Sequence, residues 1–183
     1  MVTRVSVAFI LLLTVSGCCY NGKLSDYGLP RKAIAKLKNS TIDYSKIDTM
    51  ALYKAEAGFN INSLTKEYTY YEKDVNNSYP YVSYLKFYQD GKLGVFIIPK
   101  TDTLALQRDF FNPVKAKMGY YNMNGKVLKI RIATIGDCTL YISDSEGTIQ
   151  NDTLKMLNKN YSGKIYKKVT VPKSLLEKWK PDW

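Results

Sequence analysis

The stretch KMGYYNMNGKVLKIRIATIGDCTLYISDSEGTIQNDTLKML, running from Lys117 to Leu157, decides how the rest of the chain reads. Asn124-Gly125 separates two apolar-rich runs, and this pair favours a type I′ hairpin turn because both residues tolerate positive φ. Beyond it, Leu128, Ile130 and Ile132 alternate with Lys129 and Arg131. A period of two places the aliphatic side chains on one face of a strand and the charges on the other. Gly136-Asp137 breaks the chain before a strand from Cys138 to Ile142, and Asp144-Ser145-Glu146-Gly147 reads as a further turn. Thr148 to Leu157 then reads as another strand, with Leu154 and Met156 on one face.

The same pattern extends in both directions. Met50 to Ala57, Tyr68 to Glu72 and Val82 to Gln89 read as strands, with a polar turn over 74–80. Asp90-Gly91 is a second type I′ signal, ahead of Leu93, Val95 and Ile97. A last strand runs from Lys164 to Val171, and Pro172 starts a short C-terminal helix from Lys173 to Trp179. Lys100 to Ala116 is the one long interruption, and Leu104, Leu106, Phe110, Phe111 and Pro113 make it too apolar for an ordinary exposed loop. Links this short cannot hold crossovers, so sequence neighbours must be antiparallel neighbours in space. Closing such a meander into an up-and-down barrel removes both raw edges and buries one residue in two. A β-sandwich is the alternative, but its Greek-key connections need longer links. The expected fold is mainly β: an antiparallel barrel of eight or nine strands, with a short helix over Arg31–Lys38 and another at the C-terminus.

Composition narrows the chemistry. The 183 residues suffice for one domain with a real core. The net charge is +11, but only four of the 27 basic residues are arginine, the residue that reads bases and phosphates bidentately. No nucleic-acid partner is expected. Histidine is absent, which removes imidazole bases and His-containing metal sites. The cysteines, at 18, 19 and 138, form no CxxC, and phosphate-loop, GxSxG and HExxH motifs are missing. Asp90, Asp102, Asp109, Asp144, Glu146 and Asp152 lie mostly in or beside expected turns, where Asp is favoured for conformational reasons. No catalytic residue, metal ligand or cofactor follows from the sequence, and the chain reads as a non-enzyme.

The N-terminus carries a targeting pattern. After Arg4, Val5 to Val15 is apolar almost throughout, and eleven helical residues span only about 16 Å, roughly half a bilayer core. This is the h-region of a signal peptide and not a spanning helix. Val15-Ser16-Gly17-Cys18 resembles the lipobox of bacterial lipoproteins. The resemblance implies removal of residues 1–17 and acylation of Cys18 through a diacylglyceryl thioether and an amide, with palmitate-type chains. Ordinary secretion, with cleavage after Gly17, is the other reading of the same residues. Cys19 can pair with Cys138 in an oxidising envelope or stay reduced; the apolar setting of Cys138 favours idle thiols, with Cys138 buried in a strand. Residues 18–48 read as a tether and N-terminal capping segment, and 49–183 as the barrel domain. The basic face of Arg31–Lys38 suits either a membrane surface or, through Ile34 and Leu37, a cap on the domain.

The order of signal, capping segment, strand meander and C-terminal helix is similar to that of the lipocalins and the wider calycin group. Tyr84-Leu85-Lys86-Phe87-Tyr88, Gly119-Tyr120-Tyr121 and Asp152-Thr153-Leu154 resemble segments of small lipocalin-like lipoproteins of Bacteroidetes-type bacteria. The resemblance spans about residues 49–171. It implies an envelope protein of a Gram-negative bacterium, anchored by lipid to the outer membrane, with a cup for a small hydrophobic ligand. Phe110 and Phe111 would then form a lid at its mouth, unless both rings complete the core. The alternative is an envelope structural or interaction module with a packed interior, using a Tyr- and Lys-rich outer surface that includes Tyr68, Tyr70, Tyr71, Tyr79, Tyr81 and Tyr84.

Overall fold

The computed structural model describes residues 20–37, 42, 44–72 and 79–183. Nine strands follow in order: β1 (Leu52–Ile61), β2 (Tyr68–Glu72), β3 (Tyr81–Phe87), β4 (Lys92–Pro99), β5 (Lys117–Asn124), β6 (Val127–Gly136), β7 (Thr139–Gln150), β8 (Thr153–Asn158) and β9 (Ser162–Val169). A single turn of helix, α1 (Lys173–Leu176), ends the regular structure. All pairings are antiparallel, and β9 returns to β1, so eight strands close into a barrel with β2 as an extra strand beside β1. The mainly β, lipocalin-like architecture expected from the alternation is the one observed.

One irregularity explains the extra strand. The β1–β9 register slips between Ala55 and Ala57, so a bulge re-aims β1 halfway along. Below it, Tyr53 and Lys54 pair with β3; above it, Ala57 to Ile61 pair with β2.

The turns differ from expectation in two places. At Gly125 alone φ is positive (+59°), and the loop is Gly125-Lys126, the type II′ pattern with glycine first and not the expected type I′. Residues 144–147 do not turn at all. They lie inside β7, and the reversal falls at Asn151-Asp152, both with positive φ. Gly147 serves close approach: a Cβ there would stand 2.5 Å from the Met156 sulfur and 2.3 Å from the Lys155 carbonyl oxygen on β8. The Asp90-Gly91 turn is as read, with both residues at positive φ. Most of the expected turn over 74–80 lies outside the described residues.

Two cores result from the alternation. Inside the barrel, Tyr53, Leu85, Phe87, Leu93, Tyr121, Met123, Leu128, Ile130, Leu154 and Met156 come from strands all around the wall, with Ile47 from the segment before β1. Their neighbours in sequence point outward, and there Tyr84, Phe96, Ile98, Met118 and Tyr120 form a second core. It is covered by Ile34, by Phe111 and Ala116, and by Val171, Leu176 and Trp183. The barrel is thus wrapped on one flank by three segments that are not strands.

That wrapping corrects the reading of residues 20–37. No helix forms over 31–37, where Lys32 has φ +56°, outside any helix. Nor is the segment a loose tether. Arg31 is buried and donates to the carbonyls of Pro30, Pro113, Val114 and Ala116, while Ile34 and Leu37 pack on the outer core.

Cys138 is also not the buried thiol that was expected. Asp137 and Cys138 are the two positive-φ residues of the β6–β7 turn, where Cys138 is exposed and disulfide-bonded. The other cysteines of the chain, Cys18 and Cys19, lie outside the described residues.

Candidate functional site

The two ends of the barrel are unlike. At one end lie the β3–β4, β5–β6 and β7–β8 turns, and residues 44–51 close it. Ile47 plugs the interior, the Asp48 N–H donates to the Tyr53 hydroxyl (3.2 Å), and Lys168 bridges Asp48 (3.4 Å) and Asp152 (3.1 Å). Outside this plug is a broad polar recess of about 1010 Å³, facing solvent. At this closed end Phe87 meets Tyr53 and Tyr121 edge-on at 5.1 and 4.9 Å.

Towards the β6–β7 and β8–β9 turns the interior opens. A cavity of about 440 Å³ occupies the other end, within the range of about 300–1,000 Å³ usual for small-molecule sites. Its apolar wall is Val95, Ile97 and Ile132, inward positions on β4 and β6. Ser83, Thr134, Ser143 and Tyr166 add hydroxyls, and Lys117 on β5 and Lys164 on β9 add two cations on the same inward alternation. Tyr79, Tyr81 and Lys100 stand at the mouth.

The chemistry of these groups is specific. Ser83 is only 6% exposed, and its Oγ completes no hydrogen bond among the described residues, although the Tyr166 hydroxyl interacts with it. A buried hydroxyl left in this state carries an unmet desolvation cost that a bound polar group can relieve. Burial pushes Tyr166 up to about 12, with Ser83 opposing, so the phenol stays protonated and can donate. The cup therefore offers an apolar wall, hydroxyl donors and positive charge in one space. Sequence reasoning gave these residues no role, because Lys117 and Lys164 read as ordinary polar strand positions. Their inward parity was the available signal.

The residues singled out from the sequence lie elsewhere. Phe111 packs edge-on against Phe96 (5.5 Å) and Tyr84 (6.1 Å) on the outer wall, and Phe110 is half-buried against the same cluster. The pair completes the outer core and does not cover the mouth. The reason is parity: Tyr84 and Phe96 are paired across β3 and β4 on the face opposite Leu85 and Val95. Of the six tyrosines, Tyr84 is buried and the other five are exposed. Tyr68 and Tyr70 stack at 5.9 Å and, with Phe59, surround the Lys155 ammonium at 4.1–5.5 Å, so that aromatic box is filled by the chain itself. The lipidation candidate Cys18 lies outside the described residues.

A second ionisable group is buried away from the cup. Lys86 is 4% exposed, donates to the carbonyls of Thr49 and Phe87, and stands 5.2 Å over the Tyr88 ring. Burial pushes it down to about 8, with Asp48 opposing. Between pH 8 and 10 the unfolded chain keeps a proton there that the folded chain has shed. Stability should therefore rise with pH across this window, by roughly 2 kcal/mol from this group. Above pH 10 the buried tyrosines reverse the trend, since their folded-state values are raised. Urea titrations at several pH values should show the rise, and Lys86→Met should flatten it.

No protein family matches the chain, and no curated protein or solved structure does so either, so the cup itself carries the functional argument.

Proposed function

We propose that this chain is a binding protein of the bacterial envelope, held to the membrane by lipid on Cys18, whose barrel takes up one small amphiphile with an acidic head. The observation that carries the reading is the open upper half of the barrel, about 440 Å³ with both an apolar wall and lysines. An apolar body fits against Val95, Ile97 and Ile132, and a carboxylate or similar anion fits beside Lys117 and Lys164. Ser83 and Tyr166 supply the neutral hydrogen bonds. The lipobox-like Val15-Ser16-Gly17-Cys18 supports the anchor. The disulfide at Cys138 supports an oxidising compartment, since such bonds are rare in the cytosol.

The test is a fluorescence titration with an anilinonaphthalene sulfonate, displaced by a long-chain fatty acid. Saturable binding at micromolar probe is expected. Lys117→Glu should weaken it by about tenfold to a hundredfold, the equivalent of roughly 1.5–3 kcal/mol for a charge-assisted contact, with thermal stability unchanged. If the parent shows no saturable signal, or Lys117→Glu binds as the parent does, the cup is not the site. The outer-surface reading, with a fully packed interior, would then be the better one.

A further inference from the structure

We propose that the rim of the cup docks onto an anionic lipid bilayer, so that the mouth opens onto the membrane surface. Three independent features converge on the same end of the barrel.

The first is where the rest of the chain arrives. Residues 1–19 include the apolar run Val5–Val15 and the lipidation candidate Cys18. They join the described chain at Tyr20, whose N–H donates to the Cys138 carbonyl at 2.7 Å. Cys138 lies at the tip of the β6–β7 hairpin. β5 accompanies β6 only as far as Ile132, and β8 accompanies β7 only as far as Ser145, so this tip rises above the rim. Of the described residues that follow, Ile34 and Leu37 pack on the outer wall and residues 44–51 lie at the closed end. Cys18 is two positions before Tyr20 in the chain, so a lipid carried there enters beside the mouth.

The second is what the rim exposes. Leu64, in the β1–β2 turn, is 89% exposed, and the Asn62 side chain, accepting from the Leu64 and Thr65 N–H groups, holds that turn in place. Tyr161 in the β8–β9 turn and Tyr141 and Ile142 on the raised hairpin are each about half exposed. Tyr79 and Tyr81 pair edge-on beside the opening. Apolar loop tips cost free energy in water, and tyrosines ringed at one level suit the headgroup region of a bilayer.

The third is charge. Lys66 lies 5.4 Å over the Tyr161 ring, the Lys159 side chain is 86% exposed and 3.8 Å from Asp144, and Lys100 and Lys164 flank the mouth. Opposing them among the described residues at this end are Glu67, Asp102, Asp137 and Asp144. Lysines among exposed apolar and aromatic residues match an anionic surface. The closed end, by contrast, presents the polar recess and its salt bridges. The consequence, which rests on the cup being a ligand site, is that the amphiphile passes directly between bilayer and barrel.

Depth-dependent quenching tests the docking. The full-length protein is reconstituted in vesicles of phosphatidylethanolamine and phosphatidylglycerol that carry nitroxide-labelled lipid. The native Trp179 and Trp183 are internal controls, since Trp179 lines a hollow with residues of the closed end and Trp183 meets Tyr88 there. The parent emission should change little, whereas the additional emission of Leu64→Trp should fall by about half or more, as expected for a residue at the interface. Quenching of the native tryptophans with none at position 64 would place another face on the membrane and overturn the proposal. Quenching at neither site would mean that the barrel stands clear, and would overturn it equally. The probe titration in solution is independent of both outcomes, so a failed dock and a failed ligand site are told apart.

Discussion

Replacing Arg31 with methionine should lower the unfolding free energy by about 3–5 kcal/mol, the range for breaking a buried, fully paired charge network. Its side chain is wholly buried and links three segments that are far apart in sequence. Nε lies 2.9 Å from both carboxylate oxygens of Asp182, so the C-terminal tail is held. Nη1 donates to the carbonyls of Pro30 (2.9 Å) and Ala116 (3.2 Å), and Nη2 to those of Pro113 (3.1 Å) and Val114 (3.0 Å). The guanidinium also lies 5.0 Å over the Trp183 ring, whose indole N–H donates to the Gly119 carbonyl. Methionine fills much of the volume but leaves the four carbonyls without this donor, and each unmet group costs about 1–3 kcal/mol. Lysine should recover little, because a point charge with three donors cannot reproduce a planar fork of five. Urea unfolding followed by tryptophan fluorescence reads the loss directly. A loss below about 1 kcal/mol would show that the three wrapping segments hold without Arg31.

Phe87→Ala should cost a similar amount, about 3–5 kcal/mol, by leaving a cavity in the inner core at the closed end of the barrel. Phe87 is fully buried between Tyr53 and Tyr121, and Leu85, the next inward position on β3, lies between it and Ser83 of the cup. Its removal should therefore lower thermal stability while leaving probe affinity and fatty-acid chain-length preference at the cup unchanged. A loss below about 1 kcal/mol would show that the interior collapses around the gap, and a changed chain-length preference would show that the ring sets the depth of the site.

The strand pattern was legible because alternation is local: Leu128, Ile130 and Ile132 announce one face whatever they pack against. The turns were less so. Asp144-Ser145-Glu146-Gly147 has turn composition, yet β7 runs through it, since Gly147 is there to admit Met156 and Lys155 of the next strand. Conversely, Asn151-Asp152 makes the turn with two positive-φ residues and no glycine. Arg31 was read as part of a basic helical face and proved to be the buried clasp of the outer layer. Its immediate neighbours could not show that, because every hydrogen-bond partner except the Pro30 carbonyl is 82 to 151 positions away.

By itself, then, the sequence determined the class of fold, a barrel of eight or nine strands and, except at β2, which lies beside β1 and not between β1 and β3, the antiparallel order, since these depend on periodicity and link length. It also carried the N-terminal targeting pattern and excluded imidazole chemistry. Only the tertiary structure decided which face of each strand is inside, because a barrel buries apolar residues on its inner face and, where other segments wrap it, on its outer face as well. Tyr84 and Leu85 look alike in sequence, and closure sends one to the outer core and the other to the inner. The same closure gathers Lys117, Lys164, Ser83 and Tyr166, from three different strands, around one cavity. A site of that kind has no sequence spacing to read, because its members meet only when the sheet joins end to end.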